Sequence, residues 1–167
     1  MPSRLDNLRV RVRAPGRLHL GFLDLNGGLG RRFGSLGLAI ETPVTELTVS
    51  RGQGLVVTGP EQRRTERAAR RIAEAFDLAL DHRIEVLEAI PAHAGLGSGT
   101  QLAIAIGSAM LRLEGLSSPA HVIGAALDRG ARSAIGMAAF EHGGFVVDGG
   151  RGGADRPPPA IMRPPFP

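Results

Sequence analysis

At 167 residues, with 43% hydrophobic and 22% charged residues, the chain has the balance of one globular domain, which excludes intrinsic disorder. The absence of Cys excludes a disulfide framework, a thiolate zinc site and a cysteine nucleophile, and no apolar run approaches the ~18 residues of a helical membrane span. A net charge of +4 spread over scattered Arg residues, with six Phe and no Tyr or Trp, argues against nucleic-acid binding.

Leu8 to Ala14 alternates apolar and charged residues and predicts a half-buried strand. Pro15-Gly16 interrupts it, and Arg17 to Asp24 predicts a second extended segment. A glycine-rich loop runs from Asn26 to Gly34. Leu36 to Ile40, Val44 to Ser50 and Leu55 to Thr58 read as further strands, separated by Pro43 and by Gly52 and Gly54. Glu61 to Leu80 predicts a helix with Ala69, Ile72, Phe76 and Leu80 on one face. Arg63, Arg67, Arg70, Arg71 and Glu74 fall largely on the other, which reads as a solvated face.

Arg83 to Ala89 alternates again as a strand that ends by Pro91. A loop follows, and then a helix from Gln101 to about Leu113, apolar nearly all round and therefore buried. Ser117-Ser118-Pro119 predicts an N-cap and a proline at the first helical position of a short helix that ends near Asp128-Arg129-Gly130. Gly144 to Asp148 reads as a late strand. Beyond Gly149 the composition turns to Pro and Gly. The expected organisation is a domain over residues 1–150 and a linker over 151–167.

The strongest chemical signal is Pro91-Ala-His-Ala-Gly95-Leu96-Gly97-Ser98-Gly99-Thr100, which opens the buried helix. Backbone N–H groups are unpaired at a helix start, glycines let a phosphate come close, and Ser98 and Thr100 add hydroxyls. Gly-Lys-Ser/Thr is missing, and Thr100 stands where the dinucleotide fingerprint needs its last glycine, so both familiar phosphate templates fail. A glycine-rich turn chosen for close packing is the plain alternative. All 20 basic residues are Arg, so the pI of 11.2 records a lack of Lys, Tyr and Cys, while Arg suits an anionic small molecule.

Pro91-x-x-x-Gly95-Leu96-x-Ser98 resembles the phosphate-loop motif of the GHMP kinase superfamily, and Ala14-Pro15-Gly16-Arg17-Leu18-His19-Leu20-Gly21 resembles its first motif. Gly16 to Leu25, Arg31-Arg-Phe-Gly-Ser35 and Arg132-Ser133 through Phe140-Glu141-His142-Gly143-Gly144 to Gly149 resemble one branch, the beta-ribofuranosylaminobenzene 5'-phosphate (beta-RFAP) synthases. The resemblance implies an α+β fold of the ribosomal protein S5 domain 2-like type. Its sheet would be mixed or antiparallel, with helices on one face.

The implied reaction condenses 5-phosphoribosyl 1-diphosphate with 4-hydroxybenzoate or 4-aminobenzoate. Carbon dioxide and pyrophosphate are released, in methanopterin biosynthesis and one-carbon metabolism. Gly95, Leu96, Gly97, Ser98, Gly99 and Thr100 would hold the diphosphate, with a bridging magnesium ion. Arg17, Arg31, Arg132 and Ser133 would bind substrate, and His19, Asp24, Glu141 and His142 would orient magnesium or handle the ring substituent's proton.

Plainer roles stand beside these. Arg17 also suits a strand-edge salt bridge, His19 faces either cleft or solvent, Asp24 suits a turn cap, and Glu141-His142 suits a turn hydrogen bond. Asp148 reads as structural. The five His residues show no metal-ligand spacing, so no protein-held metal is expected.

The superfamily has two domains with the cleft between them, and its third motif has no counterpart here. The expectation is therefore an N-terminal part whose C-terminal half lies elsewhere, in a full-length enzyme that dimerises. Neither nucleic acid nor membrane is an expected partner, and the cytoplasm is the expected compartment. An ATP-using small-molecule kinase and a non-catalytic fragment or split-enzyme subunit are the alternatives.

Overall fold

The alternating Arg/Val run and the segment after Pro15-Gly16 join into one strand, β1 (Arg9–Asp24), and two further predicted strands merge into β2 (Phe33–Arg51). The computed structural model describes residues 8–28, 30–130, 133–151 and 160–162. The prolines that read as breaks mark a bulge instead. Pro15 pairs with Val44 and Gly16 with Ile40, so Glu41-Thr42-Pro43 is extruded while both strands continue. Gly16 fits there because a Cβ would lie 2.8 Å from the Pro43 carbonyl oxygen.

β2 is the spine of the sheet. β1 pairs antiparallel along it, while β4 (His82–Glu88) and β5 (Phe145–Asp148) pair antiparallel with its two ends. Residues 46–50 and 35–38 of β2 each pair with β1 as well, which puts β4 and β5 on the edge opposite β1. The short β3 (Val56–Thr58) adds parallel to β4, and β6 (Ala160–Met162) adds antiparallel to β5. The sheet is thus mixed and mostly antiparallel.

The helices are α1 (Gln62–Phe76), α2 (Ser98–Leu113), α3 (Ala120–Ala126) and α4 (Ile135–His142). α1 stops short of Leu80 because Asp77 turns left-handed and Leu78 N–H closes on the Ala73 carbonyl. α3 corrects the expected cap, since Pro119 is its N-cap residue rather than its first helical residue and no side chain of that residue caps it.

α4 is a helix that periodicity did not indicate. Ile135 to Ala139 are all buried, so the segment has no polar face to give it a period. Leu47, Val49, Ile84 and Val86 of the sheet pack with Ile72 of α1, Ile106 and Met110 of α2 and Ile123 of α3. On the other face Leu18, Leu20 and Leu87 are exposed. Among the described residues no helix is long and apolar enough to cross a membrane.

Candidate functional site

The loop after β4 is built to present backbone. Ile90 N–H donates to Thr45 Oγ1 at 3.3 Å, anchoring the chain as it leaves the sheet. Gly97, with φ of 79°, is the N-cap residue of α2, and no side chain caps that helix. Thr100 and Gln101 N–H both donate to the Gly97 carbonyl, at 3.0 and 3.1 Å, which leaves the N–H groups of Ser98 and Gly99 without a partner among the described residues. Such a turn attracts an anion through both its free donors and its dipole.

Arg17 of β1 fixes the loop from below. Its backbone N–H donates to the Leu96 carbonyl at 3.0 Å, and its Nη1 donates to the Gly95 carbonyl at 3.1 Å. A Cβ at Gly97 would lie 3.0 Å from Arg17 Cγ, so glycine is needed there for contact as well as for its backbone angle. Arg17 Nε is buried with no hydrogen-bond partner, and burial pulls the guanidinium pKa below the ordinary arginine value. Two residues on, His19 stacks tilted on Phe22 with ring centroids 4.6 Å apart, and its Nε2 is buried without a partner. Burial, then the Arg17 charge, lowers its pKa below the usual imidazole value, while Asp148 opposes the shift.

Asp148, fully buried at the end of β5, ties this region together. Its Oδ2 accepts from Ser35 Oγ, from Ser133 Oγ at 2.8 Å and from Ala134 N–H at 3.1 Å, while Oδ1 accepts from Gly150 N–H at 3.0 Å. The carboxylate thereby holds the entry to α4, as expected of a structural residue. Gln101 Nε2 donates to the Gly136 carbonyl at 2.8 Å, and Gly136 packs against Thr100, so α4 abuts the loop. Arg31 reaches the same corner, donating to the carbonyls of Gly149 at 2.6 Å and Gly150 at 2.8 Å.

The structure therefore sets Arg17 against the 95–100 loop with His19 two residues along β1, and sets Arg31 and Ser133 at the Asp148 corner. Asp24 accepts N–H bonds from Asn26, Gly27 and Gly28 through one oxygen at 2.7–3.3 Å, the geometry of a turn cap. Glu141 accepts the Ala120 N–H at 2.7 Å and so caps α3, with His142 Nε2 3.7 Å from its other oxygen. This pair lies five to six residues along α4 from Gly136, roughly 8 Å further along the axis. Arg132 lies outside the described residues.

Among the described residues no cluster of three or more His, Asp or Glu is placed to hold a metal. Asp24 and Asp148 are engaged by backbone and hydroxyl donors. Sequence reasoning missed Ser35, Gln101 and a cavity of about 360 Å³ beside Gly99, lined by Arg64, Arg67, Arg71 and Arg129. The i, i+3, i+7 spacing of the first three was the available signal.

Residues 63–144 match the family described as GHMP kinases N terminal domain. The chain is 42% identical over 143 residues to the beta-ribofuranosylphenol 5'-phosphate synthase of Archaeoglobus fulgidus, covering 84% of this chain and 45% of that protein. It is 34% identical over 152 residues to the enzyme of that name from Methanocaldococcus jannaschii, covering 83% of this chain and 46% of that protein. The chain thus spans about half the length of these curated relatives. A solved 4-(cytidine 5'-diphospho)-2C-methyl-D-erythritol kinase shares the fold with a TM-score of 0.65 at 24% identity, over 93% of this chain and 56% of that one.

Proposed function

This chain carries a GHMP kinase N-terminal domain, and from that premise we propose that it is the phosphate-holding part of a beta-ribofuranosylphenol 5'-phosphate synthase. The observation that carries the reading is the uncapped start of α2 with Arg17 fixed beneath it. The substrates are 5-phosphoribosyl 1-diphosphate and an aromatic acid. The relatives' name specifies a phenol, which favours 4-hydroxybenzoate over 4-aminobenzoate.

In this reading the bond from ribose C1 to the diphosphate oxygen breaks, with its electron pair leaving on pyrophosphate. The ring carbon bearing the carboxylate bonds to C1. Carbon dioxide then departs, and the electron pair of its C–C bond restores the aromatic ring. Negative charge grows on the leaving pyrophosphate, so the free N–H groups of Ser98 and Gly99 and the Arg17 guanidinium act most strongly in the transition state. His19, kept neutral by its surroundings, takes the phenol proton as the ring attacks and returns it afterwards. Arg31 and Arg132 are the cations assigned to the aromatic carboxylate. A magnesium ion held by the substrate would help neutralise the charge that grows on the leaving diphosphate.

An ATP-dependent small-molecule kinase is the second reading, supported by the solved kinase of the same fold. The two part on one assay: carboxyl-labelled 4-hydroxybenzoate incubated with phosphoribosyl diphosphate, beside far-UV circular dichroism melts. Labelled carbon dioxide is expected, with a melting temperature raised more by phosphoribosyl diphosphate than by ATP. No carbon dioxide and a shift by ATP alone would overturn the synthase reading.

A further inference from the structure

The α1 arginines that read as a solvated face divide into two sets. Arg63 and Arg70 are exposed and do not line the cavity of about 360 Å³ that the half-buried Arg64 and Arg71 and the exposed Arg67 form with Arg129, which follows α3. His93 and Gly99 complete its polar rim, and Ala68, Leu102, Ala103 and Leu127 form its apolar floor. A Cβ built at Gly99 would lie 3.1 Å from Arg64 Nη2 and 3.7 Å from Arg129 Nη1, so two guanidinium groups converge on one glycine.

Two carboxylates answer these four cations. Arg64 pairs with Glu61 at 2.9 Å, and Arg71 pairs with Asp128 at 2.8 Å while donating to the Ala126 carbonyl at 2.9 Å. Arg67 and Arg129 make no ion pair or side-chain hydrogen bond among the described residues. The cavity is left with two uncompensated positive charges and two guanidinium forks locked in position. Like charges gathered in a concave site repel, and an anion relieves that repulsion while gaining charge-assisted hydrogen bonds.

We propose that this pocket binds a phosphoryl dianion of a small-molecule phosphate ester, with Arg67 and Arg129 as its principal ligands and Arg64 and Arg71 as pre-positioned support. The pocket shares Gly99 with the 95–100 loop, while the proposed synthase reading assigns no role to these four arginines. The dianion carries two charges, matching the two unpaired arginines, and the apolar floor suits the carbon skeleton of the ester.

The test is calorimetric titration of the full chain with inorganic pyrophosphate, following both affinity and stoichiometry, and comparing R67Q, R129Q, R63Q, R70Q and R17Q. R67Q and R129Q are each expected to weaken binding about tenfold or more, or to remove one equivalent, while R63Q and R70Q stay near the parent. In the ligand-free protein R67Q and R129Q should leave the melting temperature unchanged or raise it, since each removes a repelled charge. A lowered melting temperature would mark a structural role and overturn the proposal. Unaltered binding in R67Q and R129Q with loss in R17Q would also overturn it and leave the loop reading standing. Loss in R67Q and R129Q with R17Q unaltered would support the pocket and count against the loop. No pyrophosphate binding by the parent chain would sink both.

Discussion

The two ends of β2 do different work with the same backbone. From Glu46 to Ser50 it lies between β1 and β4, and its inward side chains meet Ile72, Ile106 and Met110 in an apolar core. From Ser35 to Leu38 it lies between β1 and β5, and the inward positions are Ser35 and Gly37, which face Asp148, Ser133 and the start of α4. One end is held by area removed from water and the other by hydrogen bonds to a buried carboxylate. The free backbone donors and unpartnered Arg17 and His19 nitrogens lie toward the second end. Stability is concentrated where chemistry is absent, and polar groups gather where a ligand can answer them.

Four substitutions sharpen or break this contrast. Ile106→Ala, at the apolar end, should cost about 2–5 kcal/mol in urea unfolding followed by circular dichroism, with little change in ligand affinity for the fraction that remains folded. Asp148→Ala should cost roughly 2–3 kcal/mol, because it strands the Ala134 and Gly150 N–H groups, and should also blunt the melting shift produced by phosphoribosyl diphosphate. If Asp148→Ala lowered stability without touching ligand response, the polar end would be mere scaffold.

Gly97→Ala should lower stability by only about 1 kcal/mol, since the backbone there is left-handed, yet abolish the ligand-induced shift by pushing Arg17 away. The smallest effect concerns acid. The folded state depresses the His19 pKa, so the unfolded chain binds the proton more readily, and stability should fall as pH drops from about 6.5 through the folded value. His19→Gln should flatten that part of a melting-temperature profile, and an unchanged profile would remove His19 from the account.

The apolar end was the more legible of the two. α2 showed itself because Leu102 to Leu113 is apolar around nearly its whole circumference, and the glycines before it marked a loop that could approach an anion. α4 stayed hidden because its buried residues lack a polar face and Gly136 is a poor helix former. Asp24 and Glu141 read from the sequence either as candidates for chemistry or as turn hydrogen-bond acceptors, and in the fold their oxygens accept N–H bonds at a turn and at a helix start, contacts that depend on which N–H groups the fold delivers. The arginine pocket needed Arg129 from another element, and a helix face cannot announce what a distant residue will bring to it.

β2 also sets a clock for the molecule. Its residues at both ends are hydrogen-bonded on two edges, to β1 on one side and to β4 or β5 on the other. Those amides can meet deuterium only when the sheet comes apart, whereas the N–H groups of Ser98 and Gly99 have no partner among the described residues in the folded state. In heavy water the Ser98 and Gly99 amides should therefore exchange early and β2 last, and an anion that settles on the loop should slow the first group to exchange while the second keeps the time of global unfolding.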